Sequence, residues 1–365
     1  MNKPIDKPFL ISIIILAVFG FFVFTSASLG LLAKDSAKFT AIATNQFLFG
    51  ICLGGLTAFL TSRIPFKIWK KWSLFLFIGA VILTLLVFVP GLGMRHGGAL
   101  RWISLGGLTF QPSEVLKLGY IFYLGAVLAK NKNKLDRPMY GLVPFCVLSA
   151  IVAIVIGLQP DNDTVLMTLT AGATMFFVAG AKKKDIMILV LLAIIGLGVI
   201  FATRPYVRER VMTFFNPSQN SLSSGYQIQQ SMIAIGSGGV FGKGFGQSTQ
   251  KFSFLPEPIG DSIFAVASEE FGFIGSVAIV VLFLFFAFRG LKIAKRSQDE
   301  FGRLITLGIV IMVIMGSFIN ISAMLGIIPL SGTPLVFISH GGTSLFITLA
   351  MMGIILNVSR AKKAN

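Results

Sequence analysis

Ten stretches of apolar residues, each long enough to cross a bilayer as a helix, dominate this chain: 9–29, 41–62, 72–90, 113–129, 140–158, 164–180, 185–203, 261–288, 302–328 and 343–359. A hydrocarbon core about 30 Å thick takes roughly 20 residues at about 1.5 Å each. Lipid offers no water to unpaired backbone groups, so each stretch must close its own hydrogen bonds as a helix. The pattern predicts an all-α integral membrane protein with about ten transmembrane helices, forming one polytopic domain over 1–365. Its one large loop, 204–260, is set within that domain. Composition agrees: 55% of the 365 residues are hydrophobic and only 12% charged, where soluble domains carry roughly 25% charged residues. The first stretch is too long for the apolar core of a secretory signal and lacks a small-residue cleavage site, so it reads as a spanning helix.

A formal net charge of +17 would suit nucleic acid, so the positions of the charges must decide. Of the 31 Lys and Arg, 21 lie in 3–7, 63–71, 130–137, 182–184, 289–303 and 360–363, on alternate sides of the ten stretches. Short loops rich in Lys and Arg stay in the cytoplasm, which places both termini there. The basic excess is topology and attraction to anionic lipid, and nucleic acid is excluded as a partner. Most acids fall the other way: Asp35, Glu114, Asp161, Asp163, Glu209, Glu257, Asp261, Glu269 and Glu270 are external or within the membrane. Chemistry is therefore expected on the external face. Cys52 and Cys146 lie in apolar runs and only His96 and His340 accompany them, so no Cys/His metal site is available.

Carboxylates near the bilayer are costly unless paired or facing a water-filled cavity. Glu114 and Lys117 stand three apart, on one helix face, and are expected to form an ion pair. Asp261 follows a proline-punctuated approach through Pro256, Glu257, Pro258 and Gly260, which suits either a helix cap or a catalytic carboxylate. Glu269 and Glu270 lie two turns on, and one of them must face inward. The pentad Gln159-Pro160-Asp161-Asn162-Asp163 reads as a tight turn opening a helix, with Asp161 or Asp163 as its cap.

The long loop reads as two amphipathic segments, 206–217 with Arg208 and Arg210 and 226–235 with Gln227 and Gln230, then a glycine-rich run, 236–246. In that run Lys243 is followed by Gly244 rather than Ser or Thr, so it is no nucleotide loop and no nucleotide is expected. Its amides could still cradle a pyrophosphate.

Five runs in order resemble one family. They are 101–103 with 110–117 (Arg101, Gln111, Ser113, Glu114, Lys117), Gln159-Pro160-Asp161, Gly225-Tyr226-Gln227, 250–272 (Lys251, Glu257, Asp261, Glu269, Glu270) and 334–344 (Ser339, His340). Together they identify the chain as resembling the SEDS family of bacterial cell-shape and division proteins, the FtsW and RodA type. The run 247–251 is more similar to the division branch.

The resemblance implies a peptidoglycan glycosyltransferase of the bacterial cytoplasmic membrane that polymerises lipid II on the extracytoplasmic side. Lipid II and undecaprenyl-pyrophosphate-linked glycan are then its ligands. A class B penicillin-binding protein and other division or elongation proteins are its partners, and a divalent cation (Mg or Mn) on Asp261 is a candidate cofactor. By motif, Asp261 matches the family's essential aspartate, and Glu114 with Lys117 matches its intramembrane ion pair. The candidates for holding substrate are Arg101, Gln111, Ser113, Asp161, Arg208, Arg210, Gln227, Gln230, Lys243, Lys251, Glu257, Glu269, Glu270, Ser339 and His340. The chain departs from the family in three places. Asn162-Asp163 stands for the usual Leu-Gly, Ile259-Gly260 and Ser262 flank Asp261 in place of His-Thr and Phe, and His340 replaces Tyr. The competing readings are a lipid II flippase and a non-catalytic division scaffold.

Overall fold

The computed structural model describes residues 4–96, 99–105, 108–216 and 224–360. Its elements follow in the order α1 (Lys7–Leu32), α2 (Ser36–Asn45), a π-helical stretch (Gln46–Leu53), α3 (Gly54–Arg63) and α4 (Phe66–Leu85). Strands β1 (Gly93–His96), β2 (Ala99–Leu105) and β3 (Leu108–Phe110) come next, then α5 (Pro112–Lys130), α6 (Leu142–Gly157), α7 (Asn162–Ala179) and α8 (Lys183–Thr203). The loop helices α9 (Pro205–Phe215), α10 (Ser224–Ser237) and α11 (Gln250–Ser253) precede α12 (Ile263–Arg296), α13 (Glu300–Met324) and α14 (Gly342–Arg360).

Each of the ten apolar stretches is helical, with α2, the π-helical stretch and α3 forming one rod, Ser36–Arg63. Among the described residues, seven helices are long and apolar enough to cross a membrane: α1, that rod, α4 with its 3-10 end, α8, α12, α13 and α14. The other three stretches fall short for visible reasons. α5 carries Glu114, Lys117 and Lys130, α6 has 16 residues, and α7 opens on Asn162 and Asp163.

A small antiparallel sheet, which the hydropathy pattern does not predict, accompanies the helical bundle. Strands β1, β2 and β3 pair in that order, Gly93 with Ile103 and Ile103 with Phe110. Gly97, Gly98, Gly106 and Gly107 break the apolar alternation of the sequence between them. The eighth stretch also starts later than expected, because α12 begins at Ile263 and leaves Asp261 in the turn before it.

Helix α13 is apolar on all sides and forms the middle of the bundle, between α5, α7 and α12. Lipid gives helices no hydrophobic reason to associate, so small residues that permit close approach matter. At Gly353 of α14 a Cβ would lie 2.2 Å from the carbonyl oxygen of Ala58, so only glycine allows α3 this near. Helix α8 is the opposite case. None of its apolar window is buried, as befits a helix surrounded by lipid.

Candidate active site

Asp261 sits where four elements meet, and hydrogen bonds tie the backbone around it at Glu257, Ile259, Gly260, Asp261 and Ser262. The carbonyl of Glu257 accepts from the amides of Gly260 (3.0 Å) and Ser262 (3.1 Å), closing the turn. The Ile259 carbonyl accepts from the His340 amide (2.7 Å), and Ser339 Oγ donates to the Gly260 carbonyl (2.8 Å). Asn320 Nδ2 of α13 donates to the carbonyls of Asp261 and Thr333, both at 2.7 Å. Gln227 of α10 donates to Ser262 Oγ at 2.9 Å. The cap of α12 is Ser262, with no side-chain cap bond, so the carboxylate of Asp261 is not engaged in capping. That removes the helix-cap reading of Asp261.

Opposite charge gathers around this turn. Arg210 of α9 and Asp261 flank Gly332: a Cβ placed there would lie 3.6 Å from both Arg210 Nη2 and Asp261 Oδ2. Asp163 Oδ2 lies 3.5 Å from Arg210 Nη1 and accepts from the Gly332 amide at 3.2 Å. The Arg210 guanidinium also stacks over the Tyr206 ring at 4.2 Å. Burial, reinforced by the negative charge of Glu257, pushes the Asp261 carboxyl up from 3.8 to about 7. Arg210 and Arg101 oppose that rise, and Asp163 adds to it. Burial likewise lowers the pKa of Arg210, against the pull of Asp163 and Asp261.

A second arm reaches the turn from the sheet. Asp161 caps α7 by accepting from the Thr164 amide at 3.4 Å, and accepts from Gln111 Nε2 at 3.3 Å. Arg101 of β2 lies 4.0 Å from it, donates to the Gln159 carbonyl at 3.0 Å and also to the Pro160 carbonyl. One turn into α5, Glu114 and Lys117 form the expected buried ion pair at 2.7 Å. Ser113 is buried beside it, its hydroxyl without a hydrogen-bond partner among the described residues.

The structure brings Asp261, Arg210, Arg101, Gln111, Asp161, Gln227, Ser339 and the His340 backbone around one turn. It places four other candidates elsewhere. Glu269 accepts from Lys243 Nζ (2.6 Å), Ser248 Oγ, the Thr249 amide (3.2 Å) and the Gln250 amide (3.3 Å). Glu270 pairs with Lys251 at 2.6 Å and accepts from Ser26 Oγ of α1 at 2.6 Å. The two carboxylates therefore latch the loop 243–251 onto α12. Arg208 and Glu257 are exposed, and Gln230 is half-buried.

The glycine-rich run docks on the same latch, which corrects its phosphate-cradle reading. The amides of Lys243 and Gly244 donate to the carbonyls of Glu269 and Glu270, each at 3.0 Å. α12 breaks there at Gly272, with φ 66° and ψ −162°, and a Cβ on Gly272 would lie 2.3 Å from the Gly242 amide nitrogen. Gly272→Ala therefore adds left-handed strain and a backbone clash. It is expected to destabilise the protein by about 2–4 kcal/mol, read as a lower melting temperature in detergent.

Three contributors were missed or underweighted in the sequence: Asn320, Asp163 and Gly332. The only signal for Asn320 was a lone amide inside an apolar helix. Asp261 is the carboxylate that would hold a divalent cation here, together with oxygens of a bound pyrophosphate. Among the described residues no three His, Cys, Asp or Glu converge, and the charge facing Asp261 across Gly332 is a guanidinium.

The family model described as a cell cycle protein, covering FtsW, RodA and SpoVE, matches residues 7–364. A probable peptidoglycan glycosyltransferase FtsW of Geobacter sp. (strain M18) is 37% identical over 354 residues, spanning 97% of this chain and 96% of its own. Stage V sporulation protein E of Bacillus subtilis (strain 168) is 38% identical over 318 residues, covering 87% of each chain. Among solved structures, a chain of a peptidoglycan synthase complex that coordinates polymerization and crosslinking superimposes with a TM-score of 0.81 at 26% identity, over 99% of both chains. The rod shape determining protein RodA of Thermus thermophilus superimposes with a TM-score of 0.71 at 25% identity, over 99% of this chain and 98% of its own. The chain is a multi-pass membrane protein belonging to the FtsW/RodA/SpoVE family of cell cycle proteins, of the FtsW type.

Proposed function

We propose that this protein is a peptidoglycan glycosyltransferase of the division type, acting on lipid II at the outer face of the bacterial cytoplasmic membrane. The observation that carries the reading is Asp261 itself. It is a carboxylate without a capping role, poised to titrate near neutrality, at a turn fixed by four elements and flanked by arginine. Similarity to proteins named peptidoglycan glycosyltransferase supports the same reaction. The basic loops, kept on the cytoplasmic side, support the outward orientation.

The step joins an acceptor sugar hydroxyl to the anomeric carbon of a pyrophosphate-linked donor. The new C–O bond forms as the bond from that carbon to the pyrophosphate oxygen breaks. Asp261, ionised, accepts the hydroxyl proton, and a base whose pKa lies near the working pH does this best. The departing pyrophosphate takes the electron pair, and the guanidinium groups of Arg210 and Arg101 supply fixed positive charge for it. Helices α8 and α9 lead from lipid-exposed surface to Arg210, which suits substrates anchored by polyprenyl chains. The complex among the structural neighbours supports a crosslinking partner of the class B penicillin-binding type.

Purified protein supplied with fluorescent lipid II and its cognate penicillin-binding protein should make long glycan strands. If folded protein makes none, and the labelled lipid instead crosses proteoliposome membranes, the protein is a carrier and the reading fails.

A further inference from the structure

Arg210 reaches Asp261 from a poorly anchored element. α8, which precedes α9, is exposed along its whole apolar window, and α9 itself buries Thr213 alone among its residues. Side-chain contacts therefore help to fix the guanidinium. One oxygen of Asp163 meets both Arg210 Nη1 at 3.5 Å and the Gly332 amide at 3.2 Å. This carboxylate has no capping duty, because Asp161 caps α7. Gly332 leaves the gap open: the atoms nearest to a Cβ placed there would be Arg210 Nη2 and Asp261 Oδ2.

We propose that Asp163 is a positioning residue: it grips Arg210 and Gly332 together and so holds the guanidinium between two carboxylates, aimed at the pyrophosphate of the donor. This rests on the glycosyltransferase reading. Without Asp163, Arg210 has Asp261 as its one carboxylate partner in the turn, and the two collapse into a pair that turns the cation away from the leaving group. Asp163 acts through Arg210 and touches no reacting atom. It also departs from the glycine usual at this position in the family the chain resembles.

The test is a double-mutant cycle on full-length purified protein with lipid II, using Asp163→Asn, Arg210→Ala and the double variant, each checked for an unchanged melting temperature. Asp163→Asn should raise KM about tenfold while kcat changes less than about threefold, as expected for losing a charge-assisted contact that orients a binding group. In the Arg210→Ala background the same substitution should add nothing, because its effect passes through Arg210. Asp163→Glu should recover part of the KM. An unchanged KM in Asp163→Asn, or an equal effect with and without Arg210, overturns the proposal. The same cycle is to be read by direct binding of undecaprenyl pyrophosphate to the detergent-solubilised protein. Should wild type make no glycan at all, the glycosyltransferase reading falls on its own, while additive binding losses would overturn the Asp163–Arg210 coupling and non-additive losses would support it.

Discussion

Asp261→Asn is expected to lower the rate of lipid II polymerisation by about 10²- to 10⁴-fold, the usual worth of a positioned general base, while the protein stays folded. The substitution keeps the shape of the side chain and the backbone carbonyl that Asn320 grips. Its effect on stability should run opposite to its effect on rate. The folded-state pKa of Asp261, about 7, stands above the ordinary 3.8, so the fold favours the protonated form. That stabilisation is complete below the ordinary value and is lost as pH rises through about 7. Asparagine mimics the protonated acid, so the variant should melt no lower than wild type at pH 8. Activity gone with stability intact is the signature of a carboxylate kept for chemistry at the expense of the fold.

Lys251→Met should have the largest effect on stability, about 3–5 kcal/mol. Lys251 and Glu270 are both wholly buried, and the ammonium satisfies Glu270, Ser26 Oγ at 3.0 Å and the Gly246 carbonyl at 2.8 Å. Removing the cation leaves an uncompensated carboxylate in an apolar interior. Since folded proteins are stable by only about 5–15 kcal/mol, a much lower melting temperature and poor recovery from detergent are expected. Lys251→Met combined with Glu270→Gln should restore most of the loss, because the amide oxygen still accepts from Ser26 while the buried charge is gone. A single variant that melts like wild type would remove the latch from this account.

The helical rods and the ion pair of Glu114 with Lys117 were legible in the sequence because both depend on local pattern: apolar length in one case, a three-residue spacing in the other. Asp261 stood out by its approach through proline and glycine and by its match to the family's motif. Partners were not legible. Ser26 lies 244 residues from Glu270, and Asp163 lies 169 residues from Gly332, distances over which periodicity says which face a residue occupies but not what it meets. The run 236–246 misled for a different reason. Glycines that let backbone amides approach a phosphate also let them approach another backbone, and here the carbonyls of Glu269 and Glu270 take the amides of Lys243 and Gly244. The sheet of β1, β2 and β3 was hidden because pairs of glycines interrupt the apolar alternation of the sequence there.

The most direct test of the central claim is the pH dependence of glycan synthesis from fluorescent lipid II by wild type and Asp261→Asn, each with the cognate penicillin-binding protein. Wild-type kcat/KM should rise about tenfold per pH unit at low pH and level off near 7, as ionised Asp261 becomes the dominant form. The variant should stay near background at every pH. A variant with the wild-type rate and the same acid limb would show that another group takes the proton, and would contradict the account.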